Sequence, residues 1–167
     1  MVKKLVSKLL SMLSGLPEEL IVFIISMFPI IELRGGLIAA SALDIPMYKA
    51  IIICFVGNLI PIPFILLLIT PIFTWLKNTN WVKKHIERLE KKAMDKSDTI
   101  QKYEFIGLVF FVGIPLPGTG AWTGSLIAAL LGIKFRKAFP AIILGLLLAT
   151  TIMCIFSYGI PWILTFL

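Results

Sequence analysis

Apolar residues fill most of this chain in long runs, and the polar positions that interrupt those runs come in the same order twice. In the first half, residues 20–28 form an apolar arm. The stretch Met27-Phe-Pro-Ile-Ile-Glu-Leu-Arg-Gly-Gly36 breaks it, residues 35–43 form a second arm, and Asp44-Ile-Pro46 makes a turn. Residues 50–75 then form a longer apolar span containing Pro61, Pro63 and Pro71. A nine-residue arm is only about 13 Å long as helix, against a hydrocarbon core of about 30 Å. Two arrangements fit. The arms join into one kinked span across Pro29, or they form a re-entrant hairpin that turns near the midplane and leaves on the side it came from. Non-helical backbone at that depth must be buried in protein or line a wet cavity.

The second half repeats the order. Residues 105–114 form an arm, Pro115-Leu-Pro-Gly-Thr-Gly-Ala-Trp-Thr-Gly-Ser125 is the break, residues 126–133 return, and residues 138–158 span. The halves align at a spacing of about 88 residues. Pro29 falls on Pro117, and Lys49-Ala50 on Lys137-Ala138. Leu37-Ile-Ala-Ala40 reappears, one residue out of step, as Leu126-Ile-Ala-Ala129.

Two polar segments flank these units. Near the start, Val2, Val6, Leu9, Leu13 and Leu16 share one helical face, with lysines and serines elsewhere, which predicts an interfacial amphipathic helix over 1–16. Residues 77–103 are expected to form a polar, amphipathic connector helix whose Val82, Ile86, Leu89, Ala93, Ile100 and Tyr103 make an apolar stripe. The predicted organisation is therefore one membrane domain: helix 1–16, repeat one over 17–76, connector 77–103 and repeat two over 104–167.

Composition agrees: 59% of residues are hydrophobic and 15% charged, against about 25% charged in soluble domains. The net charge of +7 reads as juxtamembrane, not as a nucleic-acid footprint, since eight of the sixteen basic residues lie between Lys77 and Lys102. Charge also separates the two topologies. If each half is a re-entrant hairpin plus one span, residues 77–102 share a side with Lys134, Arg136 and Lys137. Eleven of the sixteen basic residues then lie on one face, and the positive-inside tendency makes that face cytoplasmic. The predicted fold is all-α and integral to the membrane, an inverted repeat of re-entrant hairpin plus transmembrane helix, multi-pass in the cell membrane. Inverted repeats with broken helices at the midplane are a recurrent transporter plan.

The breaks carry the candidate chemistry. Ionisable residues inside a membrane segment mark functional sites by default, and Glu32 and Arg34 are such residues. Arg34, Gly35, Gly36, Gly118, Thr119, Gly120, Thr123, Asn58 and Trp122 are the candidate substrate-binding residues, with Glu32 the candidate proton carrier. Pro-Gly-Thr-Gly before a helix leaves backbone amides at a positive dipole end, a ready anion site. Arg34 adds a forked donor suited to phosphate or carboxylate. Asn58 reads equally well as a helix–helix hydrogen bond, and Trp122 as packing. Glu32 and Arg34, two apart, would not face each other on a regular helix; either the backbone is irregular or each has its own partner. Cys54 and Cys154 read as small core residues, and no metal or other cofactor is expected. No nucleophile–base set or paired acids appear and the single histidine, His85, lies on the connector, so no enzymatic activity is expected.

Phe28-Pro-x-x-Glu-x-Arg-Gly-Gly36 and Pro115-Leu-Pro-Gly-Thr-Gly-Ala-Trp-Thr-Gly124 resemble the signatures of the small multidrug export protein family, over nearly the whole chain. The layout is also distantly similar to the DedA and VTT-domain superfamily, whose members are implicated in moving lipids such as undecaprenyl phosphate. That resemblance implies an acid and an arginine at hairpin tips, which Glu32 and Arg34 match; the second tip offers only Gly, Thr and Trp. The expected function is transport or lipid translocation of an amphiphile with an anionic head group, possible as a homodimer. A cationic-drug exporter and a non-transporting scaffold are the alternatives.

Overall fold

The computed structural model describes residues 15–77, 80–95 and 98–160. The interfacial helix expected over 1–16 lies almost wholly outside the described residues, as do 78–79 and 96–97 of the connector, the His85 side chain and 161–167 of the second repeat. Among the described residues every element is helical. They are α1 (Glu18–Met27), α2 (Glu32–Ala42), α3 (Met47–Leu59), α4 (Pro61–Lys77), α5 (Asn80–Met94), α6 (Asp98–Gly113), α7 (Ala121–Leu130) and α8 (Phe135–Cys154), which runs on into a π-helical turn, Ile155–Gly159.

Two helices are long and apolar enough to cross a membrane. α3 and α4 act as one, Met47–Trp75, 29 residues of mean hydropathy 2.6, and α8 with its π-turn is the other, Phe135–Gly159, 25 residues of mean hydropathy 2.4. Pro61 lacks an N–H and Ile60 marks the seam, so α3 and α4 abut without merging. The outer faces of these helices are apolar: Ile52 is 61% exposed, Phe64 61% and Leu67 58%. Exposed apolar area on that scale needs an apolar surrounding, and the fold is compatible with a membrane protein.

The other apolar helices are short. α1, α2 and α7 have ten or eleven residues, about 15–17 Å each. α6 is longer, but its backbone breaks at Glu104 (φ 27°, ψ −89°), the residue where the connector was expected to give way to the apolar arm. The connector itself is not one helix. α5 stops at Met94, and residues 98–103 run on into the arm. Of its apolar stripe, Ile86 and Ile100 are buried, while Leu89 and Tyr103 are exposed.

Packing follows the halves. α1 lies against α2 and α3, α6 lies against α7 and α8, and α4 crosses over to α7. Glycines permit the close approaches. A Cβ on Gly57 would sit 2.8 Å from Phe23 O, and one on Gly145 2.9 Å from Val109 O. Gly57 and Gly145 are themselves 88 apart, as are Gly36 and Gly124.

The turns after the returning arms match bond for bond at the same offset. Leu43 N–H donates to Ala39 O (3.0 Å) and Leu131 N–H to Ile127 O (2.9 Å). Ile45 N–H donates to Ala40 O (3.0 Å) and Ile133 N–H to Ala128 O (2.9 Å). Each is a helix stop closed by a left-handed residue, Asp44 (φ 54°) and Gly132 (φ 69°). Pro46 and Lys134 then start α3 and α8 in matching extended conformations.

The two turns lie at opposite ends of α8. Ser41 Oγ donates to Ser157 O (2.6 Å) and Tyr158 OH to Ile45 O (3.0 Å), so turn 43–46 lies at the far end. Turn 131–134 leads straight into Phe135 at the near end. Each arm also starts at the end where its partner arm finishes. Lys49 pairs with Glu19 (3.8 Å) at one end, and Lys137 with Glu104 (3.1 Å) at the other.

Candidate functional site: where the two hairpin tips meet

Breaking a helix inside an apolar layer exposes N–H groups at one new end and C=O groups at the other, and each needs a partner. Here much of that need is met from the opposite half of the chain. α1 ends at Met27, Phe28 turns extended, and Ile31 and Glu32 N–H both return to Phe28 O (3.2 and 2.9 Å). Glu32 follows with φ 51°, a left-handed conformation uncommon outside glycine. The backbone is therefore irregular where the sequence had left that possibility open, and Glu32 and Arg34 also have separate partners.

The Glu32 side chain is buried, with only 5% of the residue exposed. Its Oε2 accepts from Ala121 N–H (3.2 Å) and its Oε1 from Trp122 N–H (3.0 Å). These are the first amides of α7, whose own N-cap, Gly120, has no side chain to offer. A carboxylate from one hairpin thus caps the helix of the other, at the end where the dipole favours negative charge. Gly120 has φ 133°, and a Cβ there would run into the Glu32 carboxylate; only glycine lets the two tips close.

Arg34 does the converse. Its Nη1 donates to Leu116 O (2.8 Å), and its Nη2 to Val112 O (3.2 Å), Ile114 O (3.1 Å) and Thr119 Oγ1 (3.1 Å). Val112 lies in the last turn of α6 and Ile114 and Leu116 just beyond it, at the end where the dipole favours a cation. The Thr119 hydroxyl lies 3.0 Å from Ile114 O and 2.9 Å from Leu116 O. A third link returns the other way: Trp122 Nε1 donates to Met27 O (3.1 Å), the last carbonyl of α1. Glu32 and Gly120 are 88 apart and both left-handed. Arg34 and Trp122 are also 88 apart, and each uses a side-chain N–H to close the broken end of the other hairpin.

Of the sequence candidates, Glu32, Arg34, Thr119, Gly120 and Trp122 come together at this junction. The amides expected to await an external anion are held by Glu32. Gly118 (φ 77°) shapes the turn, and Thr123 is half-buried on α7. Gly35 is buried on α2. Gly36 faces away from the junction, against Ser26 and Cys54. Asn58 is fully buried with neither amide atom paired. Cys54 is buried and both cysteines are free thiols. Among the described residues no three His, Cys, Asp or Glu side chains gather as a metal site.

Sequence reasoning missed the tip-to-tip pairing and the Trp122–Met27 link. The signal was present in the 88-residue offset, which sets Glu32 opposite Gly120 and Arg34 opposite Trp122.

Residues 32–152 match a family model described as Putative small multi-drug export protein. The chain belongs to this family. The family match begins at Glu32, on the first tip, and takes in the second tip, the connector and most of both long helices. The family description names export, which is consistent with a membrane transporter, and with the two long apolar helices it suggests a membrane protein. Neither a curated protein nor a solved structure matches the chain.

Proposed function

We propose that this chain is a multi-pass transporter of the cell membrane that moves a small amphiphile with an anionic, phosphate-like head group, a polyprenyl phosphate being one such molecule. α1–α2 and the inner part of α6 with α7 are taken as re-entrant hairpins dipping from opposite faces, related as an inverted repeat. The connector 77–103 and turn 134–137 face the cytoplasm. The short arms, the matched turns at opposite ends of α8 and the two ion pairs all support that reading.

One observation carries the substrate class: the Glu32 carboxylate on the amides of Ala121 and Trp122, two residues from Arg34 on the opposing tip's carbonyls. A helix N-terminus that holds a carboxylate has the chemistry to hold a phosphate. Glu32 then acts as an internal stand-in for the substrate. As a carboxylate it accepts from both amides. Once protonated, one oxygen becomes a donor facing an N–H, and the contact weakens. Proton arrival at Glu32 would release the cradle, and Arg34, freed with it, would share the head group. The partner is a lipid or lipid-like molecule, a homodimer is compatible with the size, and no catalytic step is involved.

Saturation of both charges by backbone groups favours a second reading, a scaffold whose tips only lock the halves together. Export of cationic drugs, closer to the family description, would instead need Glu32 to turn to the cation. Proteoliposome flux separates the three. An anion carrier loses anionic-lipid movement in Arg34→Ala while still eluting as a folded protein. A cation exporter keeps drug protection in Arg34→Gln and loses it in Glu32→Gln. A scaffold has no flux in the wild type, whatever the variants do to its stability. Unchanged anionic-lipid flux in Arg34→Ala would overturn the anionic-substrate reading.

A further inference from the structure

Among the described residues, Asn58 is a buried polar side chain that the junction leaves out. It is 0% exposed, and neither its Oδ1 nor its Nδ2 has a hydrogen-bond partner. Its neighbour Gly57 packs on Phe23 O and Ser26 Cβ. Ser26 stands one residue before the end of α1, so Asn58 lies at the depth of the first tip. Buried amides are nearly always hydrogen-bonded, and an exception needs a reason. Within a membrane no bulk water relieves it.

The repeat removes packing as that reason. The position equivalent to Asn58 is Leu146, 88 residues on, which is buried at 1% exposure in the matching span. Leucine has a similar volume and no polar atoms, so the architecture accepts an apolar side chain there. The amide adds nothing to the closed state. It offers a donor and an acceptor together, which suits a phosphate or hydroxyl head group carrying both oxygens and a proton.

We propose that Asn58 is the neutral hydrogen-bonding member of the substrate site, unpaired while the tips are closed and engaged by the head group when they part. This rests on the transporter reading above. Polar groups held idle in one state and used in another are a recognised source of stability given up for activity.

The test compares purified wild type, Asn58→Leu and the mirror control Leu146→Asn, each melted in detergent with increasing farnesyl phosphate. Without ligand, Asn58→Leu is expected to melt about 2–10 °C above wild type. An equal or lower midpoint would overturn the proposal, because the amide would then have a partner in the resting protein. With ligand, the wild-type midpoint rises, and the concentration needed by Asn58→Leu shifts at least tenfold upward. Superimposable titrations would overturn the role of Asn58 and leave the transporter reading standing. No response in the wild type would overturn the anionic-amphiphile reading, and the head-group role of Asn58 with it. Leu146→Asn is expected to melt lower than wild type with an unchanged titration. A shifted titration there would make the effect a generic one of core polarity and would also overturn the proposal.

Discussion

Removing the Glu32 carboxylate should reveal how far the two halves depend on each other. Glu32→Ala deletes two hydrogen bonds to a charged group, each worth about 1.5–3 kcal/mol, and leaves the N–H groups of Ala121 and Trp122 without that acceptor. Losing one member of a buried charge arrangement costs about 3–5 kcal/mol. About 4 kcal/mol is expected, a fall in melting midpoint of about 8–16 °C for a chain of this size. The same contact can be attacked from the other tip. Gly120→Ala puts a methyl group where the carboxylate lies, at a φ of 133° that costs an L-residue about 1–3 kcal/mol before any collision. In the double variant the collision disappears and only the strain is left. The two changes must therefore be non-additive, the double being about 1–3 kcal/mol more stable than the sum of the singles. Reversible unfolding of the four proteins in mixed micelles measures the cycle. Additivity within about 0.5 kcal/mol would mean that Glu32 and Gly120 do not touch, and the junction would be wrong.

Three further outcomes are expected. Trp122→Phe keeps most of the ring but loses the bond to Met27 O, and should destabilise by about 0.5–1.5 kcal/mol in the same unfolding assay. Gly57→Ala forces a methyl group to within 2.8 Å of Phe23 O, an overpacking that costs about 1–3 kcal/mol and lowers the melting midpoint, while Ala at the open Gly132 meets nothing but its φ of 69°. Lys137→Ala should change stability by less than about 1 kcal/mol, because its pair with Glu104 is solvent-exposed; a larger loss in a thermal melt would give that pair a structural role that its exposure denies.

The sequence carried the breaks, the turns and their order, because prolines, glycines and charges are rare enough in an apolar chain to be read directly. Pro29, Asp44-Ile-Pro46 and the 115–125 stretch all fall where helices end. It did not carry the partners. Glu32 and Arg34 are two residues apart, which invites pairing them with each other, whereas each reaches a backbone group 78 to 90 positions away. Such links depend on two tips arriving at one depth, and no local period encodes that. Glu104 is a smaller case: the change from polar to apolar text marked the residue, but only the fold shows that one helix crosses it through a kink. The π-turn at Ile155–Gly159 had no signal in the apolar span that runs into it.

The most direct test of two hairpins entering from opposite faces is single-cysteine labelling with an impermeant maleimide, on a background lacking Cys54 and Cys154. Pro46→Cys, Lys91→Cys and Arg136→Cys place the probes at exposed positions. Positions 91 and 136 are expected to react only from the cytoplasmic side and 46 only from the other. Opposite sidedness of 91 and 136 would make the second hairpin a full crossing, and the junction at its tip could not stand.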